Sequence, residues 1–177
     1  MELPVPARLP ELRYVPGAIA DPDVCFARLT EEVSWDDRMR ARRTASFGQP
    51  YNYSGQVYAA APMPTLVAAL ERQAAALAGH PFDNCLLNLY ETGHNTMGFH
   101  HDSYDGLVEA SWIAIASLGA ARPIVFRSLD RHTHHQVVLE HGSILLMNRE
   151  TQLAWAHALP RAPAASRRIS LTFRRFA

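Results

Sequence analysis

One triplet in the chain, His100-His101-Asp102, places a histidine and a carboxylate two positions apart. On a β-strand, residues i and i+2 project from the same face, so His100 and Asp102 can converge on one ion while His101 points away. His157, 55 positions after Asp102 in AWAHALPR, supplies the third ligand if intervening strands carry the chain back. Two histidines and one carboxylate form a facial triad, an arrangement that suits Fe(II) and leaves coordination positions open for a cosubstrate and oxygen.

A second pattern lies near the C-terminus. In RRISLTFR, a period of two puts Arg168, Ser170, Thr172 and Arg174 on one face and Ile169, Leu171 and Phe173 on the other. Inward arginines make sense beside a small dicarboxylate, because a guanidinium grips a carboxylate through paired, charge-assisted bonds. The alternative is an exposed basic face on an edge strand. Six residues of straight strand span roughly 20 Å, so both arginines reach one small ligand only if the strand bends.

The elements that must position these groups are legible in outline. A first helix is expected from Asp21-Pro22 to about Trp35, with Asp21 as N-cap and Phe26, Leu29 and Val33 on one face. A second opens near Thr65, carries Leu66, Leu70 and Leu77, and closes at Gly79. From Cys85 onward short β-type runs follow one another: CLLNLY, WIAIASLG, PIVFRS, QVVLE, SILLMN and RRISLTFRRF. Many short strands separated by turn residues predict a mainly β (α+β) fold with a jelly-roll core and helices packed outside.

At 177 residues one domain is expected, with a core that needs no disulfides. Cys25 and Cys85 sit in apolar stretches and read as buried thiols of a reducing compartment. The N-terminus MELPVPARLPEL lacks signal-peptide features, and no apolar run is long enough to span a bilayer; a cytoplasmic protein with no membrane partner is expected. Seventeen basic residues balance seventeen acidic ones, which argues against a uniformly basic nucleic-acid binder but leaves room for a local patch. The run Arg38, Arg40, Arg42, Arg43 could meet a phosphate backbone or be a solvated stretch offset by Asp36 and Asp37. His132, His134 and His135 read as a hairpin loop, and Met147 and Trp155 as core. No protein partner can be inferred.

Five ordered blocks, RRTASFGQPYNYSG, NLYETGHNTMGFHHD, IASLGAARPIVFR, LEHGSILLMNRETQLAWAHALP and RRISLTFR, together resemble the AlkB family of nucleic-acid dealkylases over roughly residues 42–176. The resemblance implies one AlkB-like domain over 1–177. About 1–84 would be N-terminal helices and a lid over the substrate, and about 85–177 a double-stranded β-helix core. It implies Fe(II) on His100, Asp102 and His157, with 2-oxoglutarate held by Asn88, Tyr90, Arg168, Ser170 and Arg174. It implies Tyr53, with Tyr51 beside it, as the lid aromatic stacking a flipped base. Tyr104, Asp105 and Arg42 would complete the substrate side. The implied reaction consumes O2 and 2-oxoglutarate, hydroxylates an alkyl carbon on a nucleobase nitrogen of DNA or RNA, and releases it as aldehyde, a repair-type demethylation. Three positions depart from the pattern: Ser170 stands for an Asn, Tyr104 for an acidic residue, and Ser46 for a lid aromatic. The iron side therefore matches more fully than the substrate side, which leaves the same chemistry on a small molecule or free nucleotide as the alternative. A non-catalytic jelly-roll binding protein is the third reading.

Overall fold

The period-two segments of the C-terminal half pair into two antiparallel sheets. The computed structural model describes residues 9–53 and 55–177. Its strands are β1 (Leu12–Val15), β2 (Arg43–Gly48), β3 (Tyr51–Tyr53), β4 (Gln56–Tyr58), β5 (Asn84–Tyr90), β6 (Met97–His100) and β7 (Ile113–Gly119). They continue with β8 (Arg122–Ser128), β9 (His134–Leu139), β10 (Ser143–Met147), β11 (Trp155–Leu159) and β12 (Arg168–Arg174). The helices are α1 (Pro22–Glu32), α2 (Thr65–Ala78) and α3 (Arg149–Ala154). A major sheet runs β1-β10-β7-β12-β5-β2 and a minor sheet β6-β11-β8-β9; β3 and β4 form a separate hairpin. Two facing antiparallel sheets of this order make the jelly-roll expected from the strand pattern.

Alternation along the central strands divides the interior into two cores. Cys85, Leu87 and Leu89 of β5 and Ile169, Leu171 and Phe173 of β12 face outward from the roll, onto Leu29 of α1 and Val67, Leu70 and Ala74 of α2. Ile113 and Ile115 of β7 face inward, meeting Ile124 and Phe126 of β8 and Trp155 of β11. Met147 and Trp155 both belong to this inner core. β12 is a central strand with all seven residues buried, so its arginines are not an exposed edge face.

Several boundaries differ from the sequence reading. Helix α1 ends at Glu32 because Val33 takes an extended conformation, three residues before Trp35. Asp21 precedes it in a left-handed conformation without a side-chain cap bond; Pro22 alone marks the start. The N-terminal third is not an add-on to the core, since β1 and β2 form the two edges of the major sheet. Short α3, capped by the Asn148 side chain on the Thr151 amide, was not expected at all.

Phe173 is fully buried where β12 meets α2, with Phe82 at 5.9 Å between ring centroids. Phe173→Ala should cost about 3–5 kcal/mol, read as a lower urea midpoint with an unchanged m-value.

Candidate functional site

The inward residues of three neighbouring strands line a cavity between the sheets. Register sets Asn88 of β5, Ser170 of β12 and Ser117 of β7 side by side, and Tyr90 beside Arg168. Leu86, Asn88, Tyr90, Arg168, Ser170, Thr172 and Arg174 form one wall; Ile115, Ile124, Leu139 and Leu159 add apolar surface; Met97, His100, Asp102 and His157 complete the lining.

β6 and β11 bring the metal-type donors together, with His100 directly opposite His157 and ring centroids 4.4 Å apart. His100 ends β6, so Asp102 lies beyond the strand and does not reach the site through strand alternation. It is held instead by Gln152 of α3, whose Oε1 accepts from the Asp102 amide at 2.9 Å. One ligand atom from each of His100, Asp102 and His157 lies within 4.8 Å of the others. Asp102 Oδ2 and His157 Nε2 are 3.7 Å apart, too far for a good hydrogen bond and a spacing that an ion with ligand bonds of about 2 Å fills. His100 Nδ1 sits 2.9 Å from the Gly98 carbonyl, a contact that places the proton on Nδ1 and turns Nε2 toward the centre. The donor set fits a divalent metal.

The local charges favour the ligand forms. Burial would raise the Asp102 carboxyl, but Arg174, with Nη2 2.9 Å from Oδ1, and the two histidines hold it at about 2. Burial lowers His157 to about 4 against the pull of Asp102, so the imidazole is neutral at pH 7. Its Nδ1 is buried without a hydrogen-bond partner among the described residues. At the far end Arg168 donates to Ser117 Oγ at 2.9 Å and lies over Tyr90, 5.4 Å from the ring centroid. Burial lowers it to about 10, which still leaves it cationic, and its Nε has no hydrogen-bond partner among the described residues. Arg122, fully buried beside the Tyr90 ring, adds a second cation anchored on the Asn95 and Pro160 carbonyls.

The two β12 arginines do not meet. Arg174 bonds Asp102 and Arg168 bonds Ser117, six residues apart along β12. Ser117, Arg122 and Gln152 escaped the sequence reading, because nothing local distinguishes a serine, an arginine or a glutamine that a distant strand will face.

On the substrate side the placements diverge. Tyr51 is half-buried with Arg174 4.4 Å from its ring centroid, at the metal end of the cavity. Tyr53 has its backbone in β3, and its side chain lies outside the described residues. Arg42 does not face a phosphate backbone: it is buried and donates Nε to Asn88 Oδ1 at 2.7 Å. Arg38 pairs with Asp36 and Arg43 with Glu91, so much of the basic run is committed within the chain. Tyr104 turns from the cavity to donate to the Ser111 carbonyl at 2.9 Å, and burial raises its hydroxyl. Asp105 is exposed.

A jelly-roll with a two-histidine, one-carboxylate cluster and a buried arginine opposite defines an iron-type oxygenase scaffold. The profile of the 2OG-Fe(II) oxygenase superfamily matches residues 26–174, and the chain belongs to that superfamily. Fe(II), 2-oxoglutarate and O2 are the cofactors the family implies. The human protein named DNA oxidative demethylase ALKBH2 is 31% identical over 175 residues, covering 93% of this chain and 64% of that protein. Its Bos taurus counterpart is likewise 31% identical, over 93% and 60%. The Rattus norvegicus protein named alpha-ketoglutarate-dependent dioxygenase alkB homolog 3 is 29% identical, over 88% and 60%. The chain thus spans less than two thirds of the length of these curated relatives. A solved structure described as that of OsALKBH1 superposes with a TM-score of 0.69 at 16% identity, over 94% of this chain and 98% of that one, a match of fold. Among the described residues, no helix is long and apolar enough to cross a membrane.

The depressed His157 has a consequence for the metal-free protein. The unfolded chain, with an ordinary value near 6.5, binds a proton between about pH 6.5 and 4 that the native state refuses. Stability should therefore fall by roughly 3 kcal/mol as pH drops through that window. Urea titrations with chelator present should show this slope, and His157→Gln should flatten it relative to wild type.

Proposed function

We propose that the chain is an Fe(II)- and 2-oxoglutarate-dependent dioxygenase that oxidatively dealkylates N-alkylated nucleobases in DNA or RNA. The observation that carries it is one cavity with a neutral-histidine and ionised-carboxylate cluster at one end and a buried arginine at the other. His100, Asp102 and His157 hold the metal. Arg168, steadied by Ser117, takes the distal carboxylate of 2-oxoglutarate, with Asn88, Tyr90 and Ser170 beside it. Arg174 keeps Asp102 ionised and fixed. Bound Fe(II) supplies O2 activation coupled to oxidation of 2-oxoglutarate to succinate and CO2, with one oxygen atom going to the substrate C–H. Apolar Leu86, Ile115, Ile124 and Leu139 keep water from that end. Tyr51, on the β3–β4 hairpin, supplies aromatic surface for an extruded base. The nucleobase substrate follows the demethylase named among the relatives.

A second reading, a free nucleotide or other small molecule, draws on the internally paired basic run and the diverted Tyr104. Two buried free thiols suit a cytoplasmic setting for either substrate.

Short oligonucleotides carrying 1-methyladenine or 3-methylcytosine, incubated with protein, Fe(II), 2-oxoglutarate and ascorbate, should lose the methyl group in step with succinate formation, as read by mass spectrometry. Succinate without demethylation would transfer the chemistry to the second reading. His100→Ala and Asp102→Ala should each abolish 2-oxoglutarate consumption; full activity in either would discard the metal assignment. Arg168→Ala should raise half-saturation for 2-oxoglutarate by about 10- to 100-fold, the loss of one charged hydrogen-bond pair.

A further inference from the structure

The minor sheet has an outer face that the cavity does not use. On β6 and β11 the register slips: His157 pairs His100 and Leu159 pairs Met97, so two steps on β11 oppose three on β6. This bulge at Gly98-Phe99 lets Met97 and His100 both line the cavity, while Phe99 is left 40% exposed. Arg127 of β8 lies across the sheet with its guanidinium carbon 3.8 Å from the Phe99 ring centroid. It can do so because the residue opposite it on the intervening strand is Ala156, too small to stand in the way. Among the described residues, no hydrogen bond or ion pair to a carboxylate engages Arg127. The arginines paired to carboxylates are Arg28, Arg38, Arg43, Arg149, Arg167 and Arg174.

The charge of this face is one-sided. None of the four minor-sheet strands, MGFH, WAHAL, RPIVFRS and HHQVVL, contains an acidic residue. His134, directly opposite Arg127 on β9, is exposed beside it. Asp130 lies in the adjoining turn, where Ser128 Oγ and the His132 amide hold its carboxylate in place. A chain of zero formal net charge thus keeps an aromatic ring plated by a guanidinium one residue from His100, on strands that carry no carboxylate. An exposed aromatic ring offers a stacking surface to any base, and an arginine without a carboxylate attracts phosphate.

We propose that Phe99 and Arg127 form a second nucleic-acid contact, a platform that stacks and neutralises a single-stranded segment next to the nucleotide entering the cavity. This rests on the nucleic-acid reading of the substrate and gives it the local positive surface that the Arg38–Arg43 run does not provide. The bulge couples the two sites, since the residue that presents the platform adjoins the residue that presents a metal-type donor.

Fluorescence anisotropy with a fluorescein-labelled decathymidylate, titrated with full-length protein from about 50 to 200 mM salt, tests it. Phe99→Ala should weaken binding by at least about five-fold with the salt slope unchanged, the signature of lost stacking. Arg127→Ala should weaken it comparably and flatten the slope by about one, the signature of a lost phosphate contact. Arg127→Lys should keep the slope and recover only part of the affinity, because an ammonium does not stack as a guanidinium does. Thermal unfolding of each variant should stay close to wild type, since Phe99 is exposed and Arg127 half-buried on the outer face. If wild type binds and the variants bind equally with the same slope, the platform is wrong and the dealkylase reading stands. If wild type shows no salt-dependent binding but oxidises a methylated free nucleotide, platform and nucleic-acid substrate fall together. If sedimentation shows a dimer that Phe99→Ala dissociates, with binding unaffected, the face belongs to a second copy of this chain.

Discussion

The Arg174–Asp102 pair ties the sheet to the site. Both side chains are almost wholly buried, and their 2.9 Å contact joins the last residue of β12 to a residue just past β6. Two charges withdrawn from water lose several kcal/mol of hydration each, so the pair persists only because each satisfies the other. Removing either partner leaves an uncompensated buried charge. The carboxylate in turn must remain ionised to serve as a ligand, which the guanidinium ensures against the opposing effect of burial. One contact therefore joins β12 to the residue just past β6 and helps keep that carboxylate ionised.

Around that pair the cavity has a polarity set by strand geometry. β12 is central and pairs without a bulge from Arg168 to Arg174, and its two arginines engage different partners along the cavity. One end collects donors suited to a cation, and the other holds Arg168, with Arg122 buried beside the same Tyr90 ring. The 2-oxoglutarate that the family implies is a small dicarboxylate, in keeping with a cavity that has metal-type donors at one end and an arginine at the other. Apolar rows from β7, β8 and β9 separate the ends and lower the local dielectric, strengthening both.

The substrate side is built on different terms. Its elements are a short two-stranded hairpin and loops rather than central strands, and its basic residues are largely paired within the chain. Burial of Arg42 against Asn88 converts a residue that looks like a surface cation into a support for a side chain that lines the cavity. Tyr104, which follows the metal carboxylate by two positions, is taken up by packing against Leu107 and Phe176.

By itself the sequence determined six strand runs from Cys85 onward, helices α1 and α2 and the division of β12 into two faces, because alternation and 3.6-residue periodicity are local properties of the chain. That the arginine face points inward was decided by the central place of β12 in the sheet. It also marked His100, Asp102 and His157, whose residue types suit a metal at any plausible pairing. Tertiary structure decided what depends on which strand lies beside which. Only register reveals that His157 stands opposite His100, that Ser117 meets Arg168, or that Ala156 leaves a path for Arg127 to Phe99. The strand continuation expected through Asp102 failed for the same reason: the ladder stops at His100 opposite His157, although β11 itself reaches back to Trp155, and a glutamine from α3 takes over the Asp102 amide. Contacts between residues tens of positions apart carry no local signature, so their chemistry appears only once the sheets are assembled.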